Sequence, residues 1–319
     1  MPLIDMPLKE LKTYKGRNPK PKDMDLFWDR ALVEMKALGT KAALEPHPFP
    51  APEVECFDLW FTGVRGARVH AQYMKPKGLK GRNPAVIQFH GYSGNSGDWS
   101  DKLKWTSRGW SAFALDCRGQ GGLSEDKGGS KGMTLRGHIV RGLEDSPERL
   151  LYRDIFLDCA QLASIAMEMP EVDSGRVACT GGSQGGGLTL ACAALEPRIA
   201  KAFPIYPFLS DYLRVWEMDL AKNAYDELSY WFRMFDPLHE KEEEVFTRLG
   251  YIDNQHLAKR IKAEVRMATG LMDDICPPST QFAAYNKIKS KKSMLVYPDF
   301  RHEYIQFIGD RAYEFFSDL

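Results

Sequence analysis

The stretch "VACTGGSQGGGLTLAC" (177–192) decides the reading of the fold. It sets one serine, Ser183, among five glycines: Gly181 and Gly182 before it, then Gly185, Gly186 and Gly187. "RVACT" (176–180) is short, apolar and partly β-branched, and reads as a buried strand. "LTLACAALE" (188–196) is rich in strong helix formers and reads as a helix. A turn that joins the two with almost no loop must be sharp. Glycine at 181 and 185 lets the chain pass close to itself where a Cβ would clash. The result is G-x-S-x-G, a strand-to-helix elbow that holds a serine hydroxyl at its tip. The helix beyond it turns its unpaired N–H groups and positive dipole end toward Ser183, where a developing oxyanion would be stabilised. The same residues would also suit a close-packing or phosphate-cradling turn. The nucleophile reading therefore depends on a base, an acid and a second oxyanion donor elsewhere in the chain.

Outward from the elbow, the same form repeats. "PAVIQFHG" (84–91), residues 110–116, "IAKAFPIYPF" (199–208), "EVRMATGLMDD" (264–274) and "KSMLVYPDF" (292–300) are apolar runs that end in polar or glycine residues. Helical stretches such as 154–169 and 278–288 lie between them. Apolar strands alternating with helices imply a mostly parallel twisted sheet flanked by helices on both faces. Ligands bind such sheets beyond the carboxyl ends of the strands, where His90, Arg118, Ser183 and Asp273 fall.

The N-terminal 1–80 reads differently. It holds an amphipathic packing helix at 24–38, a rigid proline-rich linker at 46–52, and two alternating, antiparallel edge strands at 54–63 and 68–76. Residues 209–263 break the strand–helix rhythm with charged and aromatic helical sequence. They are expected to form an insertion covering the top of the sheet, within one domain spanning 1–319. The run "HEKEEE" (239–244) reads as a solvated helix face.

With 319 residues and 44% hydrophobic content, the chain can bury a large core. Its formal net charge of zero gives no argument for a nucleic-acid or anionic-membrane partner. The start "MPLIDMPLKELKTYKG" lacks a signal-like apolar core, and no run long enough for a transmembrane helix occurs. The six cysteines are scattered and read as buried thiols. The seven histidines have no zinc-ligand spacing, so neither metal nor cofactor is expected.

A nucleophilic serine needs a histidine to take its proton and a carboxylate to fix that histidine's tautomer, in the chain order Ser, Asp or Glu, His. After Ser183 come His239, His256 and His302. The first two lie in the insertion, whereas His302 follows the last strand and is the expected base. His90 precedes the serine and reads as a tight-turn residue. For the acid, Asp273 and Asp274 leave the end of the preceding strand, and Asp299 lies only three residues from His302. The turn "QFHGYSG" (88–94) supplies the Tyr92 N–H as second oxyanion donor, beside that of Gln184.

Together "HGYSG" (90–94), Arg118-Gly119-Gln120, Gly181-Gly182-Ser183-Gln184-Gly185 and His302-Glu303 resemble the acetyl xylan esterase and cephalosporin C deacetylase family, carbohydrate esterase family 7. "GLMDDICPPSTQFAAYNKI" resembles that family's acid-bearing segment and places the acid at Asp273. The resemblance covers nearly the whole chain. It implies an α/β-hydrolase fold, metal-free removal of acetyl groups from xylo-oligosaccharides and cephalosporin C, and a cytoplasmic homohexamer. Tyr92, Phe208 and Ile275, bulky residues at strand ends, would close a short acyl pocket. Two other enzyme readings share the fold. A general short-chain carboxylesterase would differ in acyl-length preference. An oligopeptidase-type serine peptidase would carry a large access-restricting domain, for which 80 N-terminal residues are too few. A non-catalytic binding protein would be expected to have lost a triad member.

Overall fold

The computed structural model describes residues 4–131 and 137–319. Nine strands form one sheet: β1 (Ala42–Pro46), β2 (Val54–Thr62), β3 (Arg68–Pro76), β4 (Asn83–Phe89), β5 (Ser111–Leu115), β6 (Val172–Gly182), β7 (Lys201–Ile205), β8 (Glu264–Gly270) and β9 (Lys292–Tyr297). Their order across the sheet is β1-β2-β3-β5-β4-β6-β7-β8-β9. The first four neighbours pair antiparallel, and from β5 to β9 every pair is parallel. This is the α/β-hydrolase arrangement, a large and mostly parallel sheet flanked by helices.

Side-chain alternation explains why the parallel strands read as unbroken apolar runs. Ile87, Phe113, Cys179, Ala202 and Met267 join the larger core on one face. Their chain neighbours Val86, Ala112, Ala178, Phe203 and Ala268 join a second core on the other. With a period of two residues, a strand buried on both sides has no polar face to show. Helices Met24–Ala37, Leu151–Glu168 and Gln184–Leu195 cover the first face, and Leu103–Thr106 and Ile308–Phe315 cover the second. Leu151–Glu168 is buried along nearly its whole length.

Three local differences from the sequence reading have physical causes. Strand β1 falls where no strand was expected, just before the proline-rich linker. Its residues are mostly exposed, so a hydrophobic pattern could not reveal it; backbone pairing to β2 alone defines it. The helix after the elbow begins at Gln184, through three glycines, not at Leu188. Glycine is a poor helix former, but here close approach overrides propensity. A Cβ on Gly185 would lie 2.1 Å from the Phe89 carbonyl oxygen, and one on Gly187 2.4 Å from that of Phe208. Strand β6 also starts earlier than the apolar run, at Val172, where it pairs with Asn83 of β4.

Between β7 and β8 lie helices Tyr212–Glu217, Asp226–Phe235, Glu242–Leu249 and Asn254–Leu257. Asp211 ties this segment to the N-terminal chain. Its carboxylate accepts from the Tyr14 hydroxyl (2.8 Å) and from the amides of Arg17 (2.8 Å) and Asn18 (2.7 Å). All six cysteines are buried and free. Among the described residues, no helix is long and apolar enough to cross a membrane.

Candidate active site

Each residue of interest follows the carboxyl end of a parallel strand. Tyr92 comes after β4, Arg118 and Gln120 after β5, Ser183 after β6, Tyr206 and Phe208 after β7, Asp273 and Ile275 after β8, and His302 after β9. The sheet therefore delivers residues more than 200 positions apart to one edge.

Ser183 sits at φ 57°, ψ −118°. For a non-glycine residue this conformation costs on the order of 1–3 kcal/mol and persists only where the surroundings impose it. Its own N–H donates to Ile205 O (3.0 Å), and its carbonyl accepts from the amides of Gly187 (3.0 Å) and Phe208 (2.9 Å). The backbone is thus pinned on both sides, and the hydroxyl is left at the tip of the turn. Ser183 Oγ lies 2.9 Å from His302 Nε2, and His302 Nδ1 lies 2.9 Å from Asp273 Oδ2.

Asp273 is fully buried. Its other oxygen, Oδ1, accepts from the amides of Ile275 (3.0 Å) and Cys276 (2.7 Å). A carboxylate held in this way requires Nδ1–H of His302 as donor, so Nε2 is left with its lone pair toward the serine. The alternative acid, Asp274, is engaged elsewhere. Its Oδ2 pairs with Arg301 Nη2 at 2.5 Å, and that guanidinium holds the carboxyl below the usual range. The ring of Tyr206 packs edge-on against the His302 imidazole, with centroids 4.8 Å apart. Asp299 forms none of these contacts among the described residues, and His239 and His256 lie in the segment between β7 and β8.

Of the two expected oxyanion donors, Gln184 directly follows the serine and Tyr92 lies in the turn after β4. Neither the Tyr92 nor the Gln184 amide donates to a protein acceptor among the described residues. Their side chains, by contrast, are firmly held. Gln184 Oε1 accepts from the Tyr152 hydroxyl (2.7 Å) and from Gln120 Nε2 (2.9 Å), and Gln120 Oε1 accepts from the Ser93 amide (2.8 Å). Gln120 thereby links the turn after β4 to the elbow. Its neighbour Arg118 is buried and forks onto Asp158 at 2.5 and 2.7 Å. His90 has both ring nitrogens engaged: Nδ1–H donates to Gly91 O (2.7 Å), and Nε2 accepts from the Cys117 amide (3.0 Å). Burial pushes its pKa down, which suits this neutral, structural role.

Phe208 is buried, with its ring edge-on to Tyr92 (5.8 Å) and to Tyr225 (4.4 Å), and Ile275 is half-buried beside the acid. Asp273, Cys276 and His302 offer three ligand-type atoms within 4.8 Å of one another. In this arrangement Nδ1 and Oδ2 already engage each other, and burial pushes the Cys276 thiol well up, toward its neutral form. The surface concavity bordered by His47, Phe49, Phe57 and Lys77 contains none of these residues.

The chain matches the family model described as acetyl xylan esterase (AXE1) across residues 1–319. It belongs to the acetyl xylan esterase family. Members of this family are carboxylic ester hydrolases. The structure superposes on acetyl xylan esterase 1 from Thermoanaerobacterium sp. JW/SL YS485 with a TM-score of 0.97, at 59% identity over 98% of each chain. The acetyl xylan esterase from Paenibacillus sp. R4 gives 0.93 at 38% identity, covering 98% of this chain and 99% of that one. The acetyl esterase Axe7A of Xylanibacter ruminicola is 26% identical over 300 residues, which is 92% of this chain but only 65% of that protein's length.

Two residues of this family member escaped the sequence reading. Tyr206 lies in a strand-end segment like the others and could have been found by that rule. Glu227 could not. It belongs to the charged and aromatic stretch read as a helical insertion, with nothing to single it out, yet it is buried and bonded to Tyr92 (2.8 Å).

Proposed function

We propose that the protein is a serine esterase that removes acetyl groups from acetylated sugars such as xylo-oligosaccharides, and from cephalosporin C, by way of an acetyl-enzyme. The observation that supports this most is the continuous relay Ser183 Oγ–His302 Nε2, His302 Nδ1–Asp273 Oδ2, both steps at 2.9 Å. In this reading His302 takes the Ser183 proton as the oxygen attacks the acetyl carbonyl. Asp273 holds the tautomer and stabilises the imidazolium that forms. The amides of Tyr92 and Gln184 receive the oxyanion, the latter at a helix N-terminus. The imidazolium then protonates the leaving sugar oxygen. Water, activated by the same base, releases acetate.

Tyr92, Phe208 and Ile275 form the short acyl pocket in this account. An added methylene that fits an apolar pocket gains about 0.8 kcal/mol, whereas one that meets the packed Tyr92–Phe208–Tyr225 rings loses orientation as well as contact. The mechanism needs no Lewis acid, so activity should survive EDTA. Cytoplasmic location and a homohexamer complete the reading and rest on family resemblance.

The test is a panel of p-nitrophenyl esters beside acetylated xylo-oligosaccharides and cephalosporin C. The expected result is kcat/KM falling steeply beyond propionate, with turnover of the sugar acetates. A rise through butyrate to octanoate would instead indicate a general carboxylesterase.

A further inference from the structure

The segment between β7 and β8 carries a buried carboxylate that the reaction just described does not use. Glu227 is the second residue of helix Asp226–Phe235 and is 1% exposed. Its Oε1 accepts from the Tyr92 hydroxyl (2.8 Å) and the His138 amide (3.1 Å), and its Oε2 from the Val140 amide (2.9 Å). The backbone is shaped to admit it. Gly137 adopts φ +74°, and a Cβ there would lie 2.0 Å from Glu227 Oε2. His138 packs its ring against that of Tyr92, with centroids 4.9 Å apart. Three pieces of chain distant in sequence thus meet at one side chain: the turn after β4, the segment 137–140 and the helix Asp226–Phe235 that carries it.

The chemistry of this cluster is specific. Every contact to Glu227 is a donor, and among the described residues no lysine or arginine pairs with it. A buried acceptor group with no cation is costly unless its hydrogen bonds are all made. Burial pushes its pKa up to about 7, against the pull of those donors. Such a group is a poor choice for stability alone, because an apolar side chain of similar volume would avoid the desolvation cost. What it does supply is a fixed direction for the Tyr92 side chain. The next amide along the chain, that of Ser93, is held by Gln120 (2.8 Å). The Tyr92 peptide N–H immediately precedes both anchors along the chain.

We infer that Glu227 is a positioning residue for the oxyanion hole: it grips the Tyr92 hydroxyl and the 138–140 backbone so that the Tyr92 N–H stays aimed at the developing oxyanion. This rests on the reading of Tyr92 as an oxyanion donor. It also gives the helix Asp226–Phe235 a part in the rate of the reaction. Losing one oxyanion donor outright costs about 10²–10³ in kcat. A donor left in place but poorly aimed should cost less.

The test is kinetics of Glu227→Gln, Tyr92→Phe and the double variant on p-nitrophenyl acetate, with thermal melts of each. Tyr92→Phe removes a single oxygen and keeps the buried carboxylate, so it remains informative if Glu227→Gln folds poorly. The expected result is a fall in kcat of about 10–100-fold in Glu227→Gln with KM within about twofold, a fall in Tyr92→Phe, and a double variant no worse than the worse single. Affinity for a trifluoromethyl ketone, whose hemiketal with Ser183 places its oxyanion in the same hole, should weaken in parallel. Wild-type kcat in both folded single variants, with Ser183→Ala inactive, would overturn the role of Glu227 alone. Independent, multiplying losses in the double variant would overturn its action through Tyr92. A lowered kcat with unchanged ketone affinity would overturn it together with the oxyanion reading of Tyr92.

Discussion

Asp273 Oδ2 stands 2.9 Å from His302 Nδ1, with the carboxylate fully buried and its second oxygen saturated by two backbone amides. The adjacent Asp274 faces outward to Arg301. Asp273→Asn would present an amide to Nδ1 and favour the wrong imidazole tautomer. The expected cost in kcat is about 10³–10⁴-fold, while Asp274→Asn should cost less than about tenfold. Steady-state kinetics of the two variants on one acetate ester decide the point. Equal losses, or the reverse order, would transfer the role of acid to Asp274.

At Gly185, helix propensity and steric fit make opposite predictions. Propensity alone favours Gly185→Ala by about 1 kcal/mol. The new Cβ, however, would lie 2.1 Å from the carbonyl oxygen of Phe89, at the end of a central strand that cannot readily retreat. Overpacking of this kind costs about 1–3 kcal/mol. The variant should melt lower than wild type and lose activity, since the displaced strand end leads into the Tyr92 turn. A raised melting temperature with full activity would show that the elbow tolerates a side chain there.

How much of this was legible in the sequence follows from what each element is made of. The parallel strands were visible because both of their faces are buried, and Ser183 because only glycine permits its turn. Asp273 and Asp274 are chemically alike in sequence; in the structure they differ by burial and by Arg301, neither of which has a local signature. Strand β1 is exposed and defined by pairing alone. Glu227 lies beside Asp226 at the start of an amphipathic helix with no local mark of burial, and only tertiary packing places it against Tyr92.

His256 offers a test by pH. It is buried, its Nε2–H donates to Pro19 O (3.2 Å), and burial together with Lys287 pushes its pKa down to about 4. A histidine whose folded pKa is depressed contributes stability that is fully present above its unfolded value, near 6.5, and is lost as pH falls toward 4. Gln at this position can make the same donation but cannot titrate. The melting-temperature gap between wild type and His256→Gln should therefore shift in favour of the variant as pH falls from 8 to 4.5. The underlying slope is at most about 1.4 kcal/mol per pH unit. A gap independent of pH would mean that His256 is not held neutral.

The central claim is that Ser183 carries the acetyl group. Pre-steady-state hydrolysis of p-nitrophenyl acetate measures it directly. The wild type should release a burst of nitrophenolate equal to the enzyme concentration before the slower steady state. Ser183→Ala, folded with an unchanged melting profile, should show no burst and a kcat lower by about 10³-fold or more. A full burst in Ser183→Ala would contradict the acyl-enzyme mechanism at this residue.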